Sequence, residues 1–230
     1  MNFGVVVFPG SNCDYDSYRA IKDTLKQPVK FVWHQDIDIE KLDVIIIPGG
    51  FSYGDYLRAG AIARFSPVIK AIREFADKGG LVLGICNGFQ ILTESGLLPG
   101  TLMSNRGLRF KCKDIYLKTE NNNTKFTFEI ARDGLLRLPI AHNEGNFYCS
   151  ADEYKRIEDY GGIVFRYCSS EGELAQEFNP NGSLGAVAGI INEKGNVMGM
   201  MPHPERYVEG VLGGEDGKYI FDSIINGLGV

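Results

Sequence analysis

The amino-acid sequence predicts an α/β fold with a central, mostly parallel mixed sheet flanked by helices and with an antiparallel extension. In the first half of the chain, short apolar runs alternate with amphipathic helical patterns. In the second half, strand-like runs follow one another without long helical patterns between them. The length of 230 residues suits one large domain of this class, so we expect residues 1–230 to form a single domain.

Three apolar runs rich in β-branched residues open the chain, and we predict buried strands at residues 3–8, 29–33 and 44–47. Apolar and aromatic residues recur at helical spacing between the first two of these strands, at Tyr15, Tyr18, Ile21 and Leu25. The same spacing follows the third strand, at Ile62, Phe65, Ile69, Ile72 and Phe75. A fourth apolar run, residues 81–85, leads into Cys86. Because parallel strands need helical crossovers, this alternation predicts a parallel sheet with helices on both faces.

The second half contains further strand-like runs, at residues 115–118, 125–130 and 163–167. Two more runs, at residues 187–192 and 196–201, flank a short glycine-containing segment whose composition is typical of a hairpin turn. Strands that follow one another in this way predict the antiparallel extension. A last helix is predicted over residues 217–228.

The composition excludes several classes of function. A net charge of −5 and a pI near 5.3 leave no basic surface for a nucleic acid. The first apolar run is too short for a secretion signal or a membrane span, so we expect a cytoplasmic protein without a membrane partner. The five cysteines are odd in number and include no C-x-x-C pair, which favours free thiols. The histidines and cysteines show no metal-ligand spacing, so we expect no metal site.

Cys86 is the candidate nucleophile. It follows a predicted strand and precedes an apolar helical segment, so the chain must turn sharply at the cysteine itself. Gly84 and Gly88 leave room for a close approach of the backbone, and the turn lifts the sulfur above the carboxyl edge of the sheet. At a helix N-terminus we expect the thiol to ionise more readily than in a model peptide. The alternative, a buried idle cysteine, stays open on this motif alone. It is favoured for the other four cysteines, with Cys13 the least certain.

His203 and Glu205 are the candidate base and its orienting carboxylate. A thiol nucleophile needs an imidazole within reach and a third group that holds the ring. His203 lies between two prolines directly after a predicted strand, so we expect an extended chain in which residues two apart face the same way. The alternative is a histidine in a solvated loop. His142, which lies in a loop with aromatic residues, is a candidate for binding or for an interface.

Backbone amides are the candidate oxyanion hole. The segment PGGFSYG at residues 48–54 follows a strand, and its glycines can turn N–H groups towards a developing negative charge. We predict one donor at Gly50 and a second at Asn87, the residue after the nucleophile. A phosphate-binding loop is the alternative, but neither a P-loop nor a G-x-G-x-x-G pattern occurs in the chain.

These motifs resemble the class I glutamine amidotransferases, whose signatures are a Gly-x-Cys-x-Gly-x-Gln elbow and a late His-x-Glu. Within that family the chain is similar to the glutaminase subunits that serve formylglycinamidine ribonucleotide synthetases. The similarity extends over essentially the whole chain. Four segments carry it: FPGSNCD at 8–14, PGGFSYGDYLRAG at 48–60, GICNGFQ at 84–90 and MPHPER at 201–206. One departure is Asn143, where the family pattern has glycine in His-Gly-Glu-Gly.

The resemblance implies a flavodoxin-like class I amidotransferase fold and hydrolysis of L-glutamine through a cysteinyl thioester. It places Gln90, and less directly Arg109, beside bound glutamine. It also implies two partners: a large synthetase subunit, which carries ATP, magnesium and the acceptor of a step in purine biosynthesis, and a small bridging subunit. No cofactor is expected in this chain itself. Two alternatives remain at this point: a cysteine hydrolase of the peptidase or deglycase type that acts alone, and a scaffold subunit without catalysis.

Overall fold

The computed structural model describes residues 1–39 and 41–227. Eleven strands occur in this part of the chain: β1 (Phe3–Val7), β2 (Val29–Trp33), β3 (Val44–Ile47), β4 (Leu81–Ile85), β5 (Thr101–Met103), β6 (Lys111–Thr119), β7 (Leu135–His142), β8 (Asn146–Tyr148), β9 (Ile163–Cys168), β10 (Val187–Ile191) and β11 (Val197–Met200). Nine of them form one sheet in the order β2-β1-β3-β4-β11-β10-β9-β6-β7. The remaining pair, β5 and β8, forms a small antiparallel sheet.

The parallel half of the large sheet consists of β2, β1, β3, β4 and β11. Its strands are almost continuous apolar runs, and β3, β4 and β11 are buried along their whole length. Such runs are typical of parallel strands that are covered on both faces. The mostly parallel sheet predicted from the sequence is therefore confirmed.

The antiparallel half continues the sheet from β11 through β10, β9, β6 and β7. The predicted hairpin joins β10 to β11, with Ile191 opposite Met198. Asn192 stabilises its turn, because its Oδ1 accepts hydrogen bonds from the N–H groups of Asn196 and Val197 at 3.0 Å. The antiparallel extension predicted from the sequence is present.

Among the described residues, five α-helices flank the sheet: α1 (Asp14–Arg19), α2 (Pro67–Asp77), α3 (Asn87–Glu94), α4 (Ala151–Asp159) and α5 (Lys218–Asn226). A π-helical turn, Ala20–Thr24, continues α1. The second helix begins later than predicted. Pro67 occupies its first turn and Ser66 its N-cap position, whereas Ala63–Phe65 forms a separate 3-10 turn with Phe65 exposed. The prediction for the last helix ran to residue 228, which lies outside the described residues.

One predicted strand is wrong. Residues 125–130 form a series of turns, because the side chain and the carbonyl of Thr124 bind the backbone that follows. Its Oγ1 accepts from the N–H of Phe126 at 3.1 Å, and its carbonyl accepts from the N–H of Thr127 at 3.1 Å. Local hydrogen bonds of this kind compete with strand pairing. Phe126 and Ile130, four residues apart, are both buried.

Several elements were not predicted. Strand β7 contains Pro139, and a proline within an apolar run argues against a central strand. The structure resolves this conflict by placing β7 at the edge of the sheet. Helix α4 buries Ile157 alone, so its apolar periodicity is weak, but its N-cap is regular: Oγ of Ser150 accepts from the N–H of Glu153 at 3.2 Å.

No helix among the described residues is both long enough and apolar enough to cross a membrane. The carboxyl ends of β1, β3, β4 and β11 lie at one edge of the sheet, since these strands are parallel. The segments that follow them contain most of the candidate site residues.

Candidate active site

Cys86 lies at the turn between β4 and α3. Its backbone has φ +50° and ψ −104°, a conformation that is costly for a residue other than glycine. The strand pairing holds it in place, because the N–H of Cys86 donates to the carbonyl of Met200 on β11 at 2.8 Å. The elbow also requires Gly88, where an added Cβ would lie 1.9 Å from the carbonyl oxygen of Ile47. Strand β3 and the first turn of α3 are thus in direct backbone contact.

His203 and Glu205 lie just beyond β11, and both side chains are buried. Nδ1 of His203 is 2.6 Å from Oε1 of Glu205. The N–H of His203 donates to the carbonyl of Pro139 on β7 at 2.9 Å, which anchors the segment to the antiparallel half of the sheet. The predicted contact is present, but the predicted extended chain is wrong. Pro204–Arg206 forms a 3-10 turn, and this turn brings the carboxylate back to the ring.

Cys86 and His203 converge on Gly49, the residue that follows Pro48 after β3. A Cβ added to Gly49 would lie 2.7 Å from Cε1 of His203 and 3.4 Å from Cβ of Cys86. The thiol of Cys86 donates to the carbonyl of Ala141 at 3.7 Å. Nε2 of His203 is buried and has no hydrogen-bond partner among the described residues. The ring therefore presents a free nitrogen lone pair or N–H group in the neighbourhood of the sulfur.

Burial raises the pKa of the Cys86 thiol, and the nearby Cys13 and Glu205 raise it further. Arg206 and the N–H of Asn87 act in the opposite direction. The easier ionisation predicted from the helix N-terminus is thus wrong for the free protein, because desolvation of the sulfur exceeds the stabilisation of its anion. Cys86 needs a base to accept its proton.

The two predicted oxyanion donors lie on either side of the elbow. The N–H of Asn87 faces the sulfur, since it lowers the pKa of Cys86 by hydrogen bonding. Gly50 has φ +140°, and an added Cβ would lie 2.9 Å from the backbone nitrogen of Asn12, so only glycine fits. Among the described residues, the N–H of Gly50 has no acceptor. This amide is therefore available to a ligand.

The side chain of Asn87 joins the elbow to the loop after β3, a connection that sequence reasoning missed. Its Oδ1 accepts from the N–H of Ser52 at 3.1 Å, and its Nδ2 donates to Asp55 at 3.3 Å and to Oε1 of Gln90 at 2.9 Å. Burial, and secondarily the charge of Glu144, raise the pKa of Asp55 to about 6. The carboxyl group of Asp55 thus contacts the amide pair formed by Asn87 and Gln90.

Gln90 is buried on the first turn of α3, and its Nε2 donates to the carbonyl of Glu144. The carboxylate of Glu144 accepts from the N–H of Ala59 at 3.2 Å. These contacts join three segments around the elbow. Arg109 is different: it is exposed, and the contact that it makes with this region is through its carbonyl, which accepts from Asn105 at 2.9 Å. The structure does not bring its side chain to Cys86.

His142 is a buried residue at the end of β7. Its Nδ1 lies 3.1 Å from Oδ1 of Asn105, and its ring packs on Gly145, where an added Cβ would lie 2.4 Å from Cε1. Burial lowers the pKa of His142 to about 4, and the nearby His203 contributes in the same direction. This ring is neutral near pH 7, and it fixes the course of the loop that contains Glu144.

Cys13 and Arg206 were not among the predicted site residues, although both border the site. Sγ of Cys13 lies 3.2 Å from the Cβ position of Gly49, and Arg206 Nη2 donates to that sulfur at 3.1 Å. Nε of Arg206 also lies 3.9 Å from Oε1 of Glu205. The sequence leaves Cys13 the least certain of the idle cysteines and shows Arg206 only within a family motif, because no local pattern connects two residues so far apart in the chain.

Comparison with solved structures supports the fold. The chain matches a structure described as PurLQS from Thermotoga maritima, with a TM-score of 0.88 and 44% identity, over 99% of this chain and 98% of that one. A structure described as a glutamine amidotransferase, also from Thermotoga maritima, matches with a TM-score of 0.58 at 15% identity, over 100% and 84% of the two chains. The second match shows a shared fold alone.

Sequence comparison shows the family. Curated proteins named phosphoribosylformylglycinamidine synthase subunit PurQ are 56% identical to the chain in Moorella thermoacetica and 53% identical in Salinibacter ruber. These matches cover 98% and 99% of this chain and 96% and 97% of the relatives. The family model for a CobB/CobQ-like glutamine amidotransferase domain matches residues 1–214. The chain belongs to this family of glutamine amidotransferases.

Proposed function

We propose that this chain is the glutaminase subunit of a phosphoribosylformylglycinamidine synthase. In this role it hydrolyses L-glutamine and delivers ammonia to a partner synthetase, which converts formylglycinamide ribonucleotide to the amidine with ATP. The observation that carries the proposal is the site geometry: Cys86 on a strained elbow, beside a buried and hydrogen-bonded His203–Glu205 pair. Relatives with this name at 53–56% identity over nearly the full length support the choice of acceptor pathway.

The reaction begins with transfer of the Cys86 proton to His203. This transfer is necessary because burial raises the pKa of the thiol. The sulfur then attacks the side-chain amide carbon of glutamine, and the N–H groups of Gly50 and Asn87 bind the oxyanion that forms. Glu205 stabilises the imidazolium through the 2.6 Å hydrogen bond.

Collapse of the tetrahedral intermediate breaks the carbon–nitrogen bond, and His203 gives its proton to the departing ammonia. A γ-glutamyl thioester on Cys86 remains. His203 then takes a proton from water, the hydroxide attacks the thioester, and glutamate leaves as Cys86 recovers its proton. Gln90 is the side chain on this elbow that we place beside the substrate. Arg109, which is exposed, is assigned to the substrate by the family resemblance alone.

The proposal extends to the partners and the setting. ATP and magnesium belong to the large synthetase subunit, and a small bridging subunit completes the complex. This chain needs no cofactor of its own for the thioester chemistry, which uses protein groups throughout. We place the protein in the cytoplasm, in keeping with its five free thiols, and treat residues 1–230 as a single domain.

The test replaces Cys86 in the reconstituted complex and compares glutamine with ammonium as nitrogen donor. We expect C86A to abolish glutamine-dependent synthesis and to retain ammonium-dependent synthesis, because the partner's chemistry does not use the thiol. C112A, which changes an exposed cysteine, is the matched control and should retain both. Survival of glutamine-dependent synthesis in C86A would reject the nucleophile, and loss of both activities would indicate a structural role.

A second experiment separates the proposal from its two alternatives. A diazo-ketone analogue of glutamine should label the intact complex, and peptide mass spectrometry should find the label on Cys86. A cysteine hydrolase that acts alone would hydrolyse its substrate without the synthetase. A scaffold protein without catalysis would not react with the analogue at all.

A further inference from the structure

Two exposed leucines have a backbone conformation that is unusual for this residue type. Leu57 lies in segment 51–60, which follows β3; its φ is +71° and it is 93% exposed. Leu108 lies in loop 104–110, which joins β5 to β6; its φ is +53° and it is 80% exposed. Positive φ is rare for a bulky residue, and such strain is concentrated at functional sites. Because both side chains are exposed, burial in the core of the chain does not offset the strain.

Contacts of the following residues hold Leu57 in place. Nη2 of Arg58 lies 2.6 Å from Oε1 of Glu94, whose side chain is 5% exposed. The N–H of Ala59 donates to the carboxylate of Glu144 at 3.2 Å. Segment 51–60 is therefore fixed to α3 on one side and to the loop after β7 on the other, while the leucine itself points to solvent.

The buried side chain of Asn105 holds Leu108 in a similar way. The carbonyl of Asn105 accepts from the N–H of Leu108 at 2.8 Å, and its Nδ2 donates to the carbonyl of Arg109 at 2.9 Å. These bonds fasten the backbone on both sides of the leucine. The exposed side chain is thus presented by a fixed turn.

Both segments are attached to residues 141–145, which pass the nucleophile. The carbonyl of Ala141 accepts from the thiol of Cys86 at 3.7 Å. Segment 51–60 is bonded to this range through Ala59, and loop 104–110 through Asn105, whose Oδ1 accepts from a backbone N–H of the range at 3.0 Å. The two strained leucines are therefore carried by segments that border the candidate site.

Further exposed apolar side chains accompany the two leucines. Phe51 and Tyr56 lie on segment 51–60, and Phe110 lies on loop 104–110; they are 45%, 73% and 51% exposed. We call these three residues, with Leu57 and Leu108, the docking surface. Exposed apolar residues that occur together indicate an interaction site, and aromatic side chains are enriched in the cores of protein interfaces.

The charge beside the docking surface is positive. Residues 105–113 contain four cationic residues and no acidic one, although the whole chain has a net charge of −5. The cations are Arg106, Arg109, Lys111 and Lys113. A partner that fits here has carboxylates around an apolar centre. A second copy of the chain is disfavoured, because a symmetric contact would place like charges against each other.

We propose that the docking surface binds the large synthetase subunit, at a site where apolar pockets are bordered by carboxylates. The proposal rests on the proposed function, in which that subunit uses the ammonia formed at Cys86. Ammonia that enters bulk water takes up a proton and is no longer a nucleophile. The subunit that uses it has to cover the surface beside Cys86, and the docking surface lies there.

The experiment measures binding of the full chain to the large synthetase subunit of the same organism by isothermal titration calorimetry, with the small bridging subunit present. L57N and L108N remove the apolar side chains. Asparagine tolerates positive φ better than leucine, so both variants should fold at least as well as the wild type. We expect each to weaken binding by roughly 10- to 30-fold, the effect of a dominant interface residue.

I37N is the matched control. Ile37 is 70% exposed and lines a cavity with Gly80, which precedes β4 at the opposite edge of the sheet from Cys86. This variant should bind the synthetase as the wild type does. Urea unfolding checks the stability of each variant, and the rate at which iodoacetamide alkylates Cys86 should be the same in all of them.

R106E tests the charge of the partner. The reversed charge should weaken binding by roughly tenfold at low ionic strength and by less at high ionic strength, because salt screens the contact with the carboxylates. Binding of R106E that equals or exceeds that of the wild type would contradict an acidic partner surface.

Three other results would overturn the proposal. One is synthetase affinity of L57N and L108N within threefold of the wild type. Another is loss of binding to the bridging subunit alone. The third is self-association of the wild type, measured by analytical ultracentrifugation, that L57N and L108N abolish. Absence of synthetase binding by the wild type would reject the partner itself, whereas labelling of Cys86 by the glutamine analogue would still decide the hydrolysis of glutamine.

Discussion

Nδ1 of His203 lies 2.6 Å from Oε1 of Glu205, with both residues 1% exposed. In the proposed reaction this bond leaves Nε2 of the ring for Cys86 and stabilises the imidazolium that forms when the thiol loses its proton. We expect E205Q to lower kcat for glutamine by roughly 10²–10⁴, because an amide keeps the shape but not the charge. Ammonium-dependent synthesis should be unchanged.

E171Q, which changes an exposed carboxylate, is the control. Steady-state glutaminase assays on the complex provide the measurement. A value of kcat within threefold of the wild type in E205Q would show that the carboxylate does not act through His203.

The raised pKa of Cys86 predicts the pH dependence of its alkylation. Only the thiolate reacts with iodoacetamide, so below the thiol pKa the rate rises about tenfold per pH unit. Because burial holds this pKa above the ordinary value of 9.0, the rate at Cys86 should still be rising at pH 9. Peptide mass spectrometry after timed labelling measures it site by site, with the exposed Cys112 as a check on the reagent. An alkylation rate that stops rising below pH 8 would mean that the helix N-terminus stabilises the thiolate by more than its burial costs.

The lowered pKa of His142 predicts that the protein loses stability in mild acid. Its pKa is about 4 in the folded chain and 6.5 in the absence of the fold, so the unfolded chain binds more protons between these two values. The free energy of unfolding therefore falls as the pH is lowered from 6.5 to 4, by up to about 3 kcal/mol from this residue. Urea unfolding at pH 6.5, 5.5 and 4.5 tests this.

The matched variant for this experiment is H142Q, which retains a polar side chain beside Asn105 but cannot take up the proton. Its stability should decline less steeply than that of the wild type over the same range. Identical slopes would assign the acid sensitivity to other groups.

Adding one methyl group at Gly88 should strongly lower the free energy of unfolding. In G88A the added carbon would lie 1.9 Å from the carbonyl oxygen of Ile47, and neither backbone segment can move without disturbing the sheet. We expect a loss of about 3 kcal/mol or more in the free energy of unfolding. G96A is the control: nothing lies within 4 Å of its added carbon, although φ is +69°, so it should cost only about 1 kcal/mol. Comparable losses in the two variants would contradict the close approach.

Much of the fold was predictable because the parallel half obeys simple periodic rules. Strands β2, β3 and β4 begin and end where their apolar runs do. The failures have local causes. The proline in β7 argued against a strand, although the strand lies at the edge of the sheet. Helix α4 buries only one isoleucine, so its sequence lacks a clear helical periodicity. The hydrogen bonds of Thr124 stabilise turns where the sequence predicts a strand.

The candidate site was predictable where one short segment contains the relevant geometry. The elbow at Cys86 and the pair His203 and Glu205 are of this kind. Contacts between distant segments could not be predicted, because they depend on packing. Examples are the bond between Asn87 and Ser52, the sulfur of Cys13 beside His203, and the desolvation that raises the pKa of Cys86. A single sequence has no signal for them.

The adjacency of β4 and β11 also affects synthesis of the protein. Met200 pairs with Ile85 and accepts the hydrogen bond that holds Cys86, yet the ribosome makes it more than a hundred residues later. Until then the nascent chain exposes an unpaired edge on β4 and carries a cysteine without its base. Such a long-range pairing makes folding slow relative to local elements. The proposed glutaminase site is therefore assembled only after the segment from β11 to Glu205 has been synthesised and has paired with β4.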